Sequence, residues 1–447
     1  MNWERKIRLV LAWAFYALFF VTPLLFNPNR NYPSFELFEW NKMFFVYILT
    51  TIITGTWICR MILHKKIIFI RTPPGPAIIL FLLSQILATV FSIDPHVSIF
   101  GYYSRFHGGL LSTICYTLLY FAFVSNRDVI RLKRLFLFII SSACVVALYA
   151  IAEKFGIDAN MWVQDVRSRV FSTFGQPNWL AAYLAIILPI TIAQFFMKPR
   201  VMNPDDANES QNTESKSTYL PNIIRRAVRQ GYLISAIIFY TSLLFTKSRS
   251  GFLGFWIPNL IIWVGVFYTY RQKLNTVRLF LILNSLFLAL NFFIKTPIPA
   301  YNRLATIEIF NRQQVVEEIQ APMGDSVINV GITDSAKIRQ VVWKGAVDIV
   351  KAYPLLGTGP ETFAYAYYKF RPQEHNLTSE WDFLYNRAHN EFLNIAATSG
   401  ITGLVTYLFF IAITYLGIYK SWRRTATTPT EKIILLALAA AYTSIHV

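Results

Sequence analysis

Hydrophobicity along this chain comes in long blocks, and polar residues are confined to the gaps between them. Apolar runs near 7–26, 42–62, 75–93, 108–125, 133–152, 178–197, 231–246, 250–270, 276–294 and 401–419 each approach the roughly 20 residues that carry an α-helix across a bilayer. A further run begins at Ile433 and stops at Val447. The pattern predicts an all-α integral membrane protein, a polytopic helical bundle of about 11 to 12 transmembrane helices. It reads as a single membrane domain over 1–447 whose last span is cut short, so the natural chain is expected to continue.

One gap differs from the rest. Residues 295–390 form a long polar stretch, and segments of this kind are functional or disordered. Its aromatic content and its apolar residues at helical spacing argue against disorder. Ile338, Val341, Val342, Ala346, Ile349 and Val350 predict an amphipathic helix, capped by Thr333 or Asp334 and ended at Pro354 and Gly357, with Arg339 and Trp343 one turn apart on a second face. The loop is therefore expected to be partly helical and to lie on the outer face. Asn203–Lys216, rich in Asn, Asp, Glu, Gln and Ser, reads as a flexible loop without chemistry.

Composition agrees with the blocks: 55% of the 447 residues are hydrophobic and 16% aromatic. The net charge of +18 raises the alternative of a nucleic-acid binder, but the basic residues form no stripe. They fall in every second gap: Arg5, Lys6 and Arg8; Arg60, Lys65, Lys66 and Arg71; Arg127, Arg131, Lys133 and Arg134; and likewise onward to Lys420, Arg423 and Arg424. By the positive-inside rule these gaps and the N-terminus face the cytoplasm, and no nucleic-acid partner is needed to account for the charge. The first span follows a basic segment with no small-residue cleavage site after it, and reads as an uncleaved signal anchor. Cys59, Cys115 and Cys144 lie within spans without metal-ligand spacing, as packed thiols do.

The same topology gathers the remaining polar residues on the opposite, outer side: Arg105, Arg169, Lys247, Arg249, Arg339 and His389. Lys247 and Arg249 stand out, because a turn of very few residues joining two spans needs no cations, and outer loops are ordinarily poor in them. Snorkelling to lipid headgroups is the bland alternative for each arginine. For His389, at the end of the long loop, the alternative is a hydrogen-bonded structural histidine. Nearby arginines would favour its neutral form, which accepts a proton near neutral pH. The chain has no Walker A loop, no Gly-x-Gly-x-x-Gly, no His-Glu-x-x-His and no Gly-x-Ser-x-Gly. Nor does it carry an Asp-x-Asp pair for a divalent ion on a diphosphate, a task that guanidinium groups can take over.

With Ser-Arg-Ser-Gly at 248–251, Arg339 and Trp343 in the outer helix, and His389-Asn390 after it, the chain resembles the O-antigen ligase family, which includes O-antigen polymerases and protein O-oligosaccharyltransferases. The resemblance runs from about Arg169 to Gly403 and takes in Phe174-Gly-Gln-Pro-Asn178 and Pro354-Leu-Leu-Gly-Thr-Gly359. It implies a metal-independent, inverting glycan transfer, without cofactor, at the outer face of the bacterial cytoplasmic membrane. The donor would be an undecaprenyl-diphosphate-linked saccharide and the acceptor a hydroxyl on lipid A core or a similar glycan. His389 would be the general base, with Arg249 and Arg339 holding the diphosphate. Lys247, Arg169, Arg105, Asn178, Asn390 and Trp343 would be substrate contacts, and the three principal residues are expected to line one outward-facing cavity. A polymerase or a protein glycosyltransferase would share the donor chemistry. A flippase or transporter for lipid-linked sugars is the reading from another class, disfavoured because transporters bury ionisable residues near the midplane and these spans carry few.

Overall fold

A computed structural model describes residues 3–28, 37–162, 164–197, 222–270, 274–298, 302, 335–424 and 428–446. Among them there is no strand. The helices are α1 (Trp3–Val21), α2 (Glu39–His64), α3 (Gly75–Val90), α4 (Pro95–Phe100), α5 (Leu110–Ser125), α6 (Leu132–Lys154), α7 (Pro177–Phe196), α8 (Asn222–Phe245), α9 (Arg249–Tyr270), α10 (Leu274–Ile294), α11 (Ser335–Ala352), α12 (Phe363–Phe370), α13 (Glu391–Arg423) and α14 (Pro429–Ser444). Eight of the described helices are long and apolar enough to cross a membrane. The chain is thus a polytopic helical membrane protein. The runs at 75–93 and 108–125 became α3 and α5, apolar helices of 16 residues each, or roughly 24 Å at the α-helical rise. Asn203–Lys216 and the proposed caps Thr333 and Asp334 lie outside the described residues.

The chain divides into two compact units. The first comprises Met1–Leu18, Asn27–Arg131 and Arg312–Gly417. In it α5 packs on α2 and α3, and α3 is tied to α13 by Ser399 Oγ donating to Gln85 Oε1 at 3.0 Å and by Ser84 and Thr406 hydroxyls 3.1 Å apart. The amphipathic segment does form a helix, and its stripe Ile338, Val342, Ala346 and Ile349 is buried against Phe363, Tyr367, Tyr385, Ala388 and Ala397. Burying one such side chain fully contributes about 1.5–3 kcal/mol, so this small core anchors the loop to the start of α13.

The start of α13 is itself broken. Gly400 has φ 68° and ψ −172° inside the helix, a backbone setting that glycine adopts without steric cost. The break frees carbonyls, and residues 354–359 fill the opening. Thr358 N–H donates to Ala397 O at 3.1 Å, Gly359 N–H to Thr398 O at 2.7 Å, and Ile401 N–H to Pro354 O at 2.9 Å. The fit admits no side chain, since a Cβ at Gly400 would stand 2.2 Å from Leu355 O.

The second unit comprises Phe19–Phe26, Leu132–Asn311 and Ile418–Val447. Its centre is α7, which packs against α8, α9 and α14 and buries Leu180, Ala181, Leu184, Ala185 and Leu188. Small residues set the close approaches: a Cβ at Gly251 would lie 2.4 Å from Ala181 Cβ, and one at Gly265 would meet Leu436. This is the close-packing device of membrane helices, where apolar burial alone does not distinguish a helix partner from lipid. Polar pairs add to it, with Tyr240 Oη donating to Asn291 Oδ1 at 2.5 Å and Asn259 Nδ2 to Asn284 Oδ1 at 2.7 Å.

Candidate functional site

In the first unit the candidate site is built on the last residues of the long loop. Trp343, half-buried on α11, donates its indole N–H to Ala388 O at 2.9 Å. Asn394 accepts the Ala388 N–H at 3.3 Å, and Asn390 accepts the Leu393 N–H at 3.1 Å, the geometry of an N-cap on α13. Between these two anchored positions His389 adopts φ 52°, a left-handed setting that is uncommon away from glycine and concentrates at functional sites. The structure therefore gives Trp343 and Asn390, both expected to contact substrate, a definite task in holding the backbone on either side of His389.

The His389 ring stands edge-on to Tyr385, with centroids 5.3 Å apart and planes at 87°. Its pKa lies below the ordinary histidine value: desolvation is the largest cause, Arg339 is next, Arg387 and Arg105 act in the same direction, and Glu380 opposes them. His389 and Arg339 are both exposed, and neither has a hydrogen bond or ion pair to another described residue. A neutral imidazole beside an unneutralised guanidinium can take a proton from one group while attracting an anion with the other.

Around this pair lies an acid–base network that the sequence did not reveal. Glu39, the first residue of α2, accepts from Arg105 Nε at 3.2 Å and lies 2.7 Å from His107 Nε2. Glu361, at φ 59°, accepts from Arg387 Nη2 at 2.8 Å, and a Cβ on Gly108 would collide with its carboxylate. Arg105 is thus an ion-paired residue, unlike Arg339. Glu361 and Arg387 are separated by 26 residues and His107 and Glu39 by 68, so no local spacing linked them. The only visible hint was the Gly-Gly after His107, which lets the backbone come up against Glu361.

In the second unit the turn between α8 and α9 holds the expected cations. Lys247 has φ 51°, and Ser248 caps α9 by accepting the Gly251 N–H at 3.2 Å. This leaves Arg249 and Ser250 exposed in the first turn, where the helix dipole and free N–H groups favour negative charge. Arg169 is differently placed: its Nε donates to Thr246 O at 3.0 Å and its Nη2 to Asn178 Oδ1 at 3.3 Å. Arg169 and Asn178 therefore brace the turn that presents Lys247 and Arg249. Arg169 in turn follows from a buried carboxylate, Glu153, which accepts the Phe171 and Ser172 N–H groups at 3.0 and 2.7 Å and fixes the course of that loop.

The residues named from the sequence accordingly fall into two groups. His389, Arg339, Arg249 and Lys247 are exposed and unpaired among the described residues, whereas Arg105, Arg169, Asn178, Trp343 and Asn390 are engaged in holding the local backbone or a neighbour. Residues 234–408 match a family model described as O-Antigen ligase. All four unpaired residues lie inside the match. None of the curated proteins matches the chain.

Proposed function

From the match of residues 234–408 to the O-antigen ligase family model, we propose that this bacterial membrane protein transfers a glycan from an undecaprenyl-diphosphate-linked saccharide to an acceptor hydroxyl at the outer face of the cytoplasmic membrane. The observation that carries the reading is His389, its pKa held below the ordinary histidine value by desolvation first and by the unpaired Arg339 second. A ring nitrogen of His389 takes the acceptor's O–H proton as that oxygen attacks the anomeric carbon. The bond from that carbon to the diphosphate oxygen breaks on the opposite face, inverting the configuration, and undecaprenyl diphosphate departs with the bonding electron pair. Arg339 and Arg249 bind its oxygens as charge develops. Lys247 supports the donor phosphates as a point charge.

The acceptor on this reading is lipid A core. A polymerase or a protein glycosyltransferase would run the same donor chemistry on a different hydroxyl, so the test includes all three acceptors. Purified full chain in liposomes is given undecaprenyl-diphosphate glycan together with lipid A core, a second lipid-linked glycan, or a Ser-containing protein, and joined products are resolved by mass. Product on lipid A core is expected. Removing the general base by His389→Ala should cost about 10²–10⁴ in rate with donor binding retained. Undiminished transfer by that variant removes the base assignment, and unchanged donor binding in both Arg249→Ala and Arg339→Ala removes the diphosphate contacts.

A further inference from the structure

Between α1 and α2, in the first unit, runs a groove of about 720 Å³ that takes no part in the candidate site. Ile7 and Val10 form one side, and Ile52, Cys59 and Leu63 the other. Two threonines also line it, but Thr51 and Thr56 donate their hydroxyls to Tyr47 O and Ile52 O of their own helix, so the wall is apolar along its length. Gly55 leaves a gap in it, since a Cβ there would meet nothing within 4 Å. The volume lies in the range of small-molecule sites, roughly 300–1,000 Å³. From Thr51 to Leu63 the α2 wall spans roughly 18 Å at the α-helical rise, close to the ~15 Å that one leaflet contributes to the hydrocarbon core.

At one end the chemistry changes sign and polarity. Glu4 on α1 lies 3.4 Å from His64 on α2, which brings the start of α1 beside the end of α2. Lys6 lines the groove there, with its Nζ 4.9 Å from the Trp3 ring centroid. Lys65 and Lys66 follow the last residue of α2 and are exposed. None of these three lysines has a carboxylate partner among the described residues. The nearby acids are committed elsewhere, Glu4 to Arg8 and His64 and Asp128 to Arg8 and Arg60.

We propose that this groove is a binding site for an anionic glycerophospholipid, with one acyl chain lying along Ile7, Val10, Ile52 and the gap at Gly55, and the headgroup phosphate held by Lys6, Lys65 and Lys66. An apolar slot one leaflet deep fits an acyl chain, and three unneutralised lysines at its polar end select the charge of the headgroup. The site is independent of the transfer reaction. Cys59, a free and exposed thiol in the wall, serves as a native reporter of occupancy.

The test uses the full chain in detergent, measuring alkylation of Cys59 by a maleimide while phosphatidylglycerol or phosphatidylcholine of identical chains is added. Phosphatidylglycerol is expected to slow alkylation strongly and saturably, and phosphatidylcholine only weakly. Lys6→Ala should raise the phosphatidylglycerol concentration needed by about fivefold, the effect of one basic residue at an anionic surface. Gly55→Leu fills open space, and native mass spectrometry of this variant should show one fewer retained phosphatidylglycerol than the unsubstituted protein. Equal protection by both lipids identifies ordinary solvating lipid and overturns the proposal. So does unchanged phosphatidylglycerol retention in Gly55→Leu.

Discussion

The side chain with most to say about the chemistry is His389, because its environment predicts how the reaction depends on pH. Desolvation first and Arg339 second hold its pKa below the ordinary value near 6.5, so the proton-accepting form is present above a midpoint lower than that. The acidic limb of kcat/KM should therefore lie below pH 6.5, with activity rising as the pH rises through it. Arg339→Ala removes a cation that favours neutral imidazole, and that limb should move to higher pH as well as falling in amplitude. Arg339→Lys keeps the charge and should leave the limb near its original place. A limb that does not move in Arg339→Ala would separate the two residues electrostatically. His389 drew notice in the sequence as a polar residue where the long polar stretch gives way to an apolar block, and Arg339 as a cation on the second face of an amphipathic helix. Glu39 and Glu361 were not, since an acid that steadies a distant arginine carries no signature in its own neighbourhood.

At the scale of elements, α11 was readable from periodicity alone, whereas its partner was not. The apolar stripe said that something must cover it, and only the folded chain shows that Phe363, Tyr367 and Tyr385 do so. Among its links to the His389 segment is the hydrogen bond from the Trp343 indole to Ala388 O. Trp343→Phe keeps most of the buried ring and deletes that bond, and should lower stability by about 1 kcal/mol, measured by thermal denaturation. The transfer rate should fall further than the loss of stability accounts for, because Ala388 is the residue being released. The break in α13 is a second case. Pro354–Gly359 was noted in the sequence only for its resemblance, and neither the break at Gly400 nor its completion by 354–359 was anticipated. Gly400→Ala places a Cβ against Leu355 O at positive φ and should destabilise by at least about 1–3 kcal/mol, again visible as a lower Tm.

For the whole molecule, the alternation of basic gaps predicts an orientation that labelling can check. In a background without native cysteines, Ser250→Cys and Trp381→Cys, both at exposed positions, should react with a membrane-impermeant maleimide added to the outside of intact cells. Lys65→Cys should react only after the membrane is opened. Reaction of Lys65→Cys in intact cells would invert the topology and with it the assignment of the outer face. The number of long spans was less legible than their existence, because apolar runs such as 75–93 and 108–125 are counted alike in a sequence while their helices stop at 16 residues. The break at Gly400 has a last consequence, for biogenesis. A span that enters hydrocarbon with open carbonyls is penalised until something caps them, and here the capping segment, 354–359, precedes α13 in the chain. It emerges from the ribosome first, so the patch is already made when the broken helix arrives, and insertion of α13 need wait for nothing synthesised later.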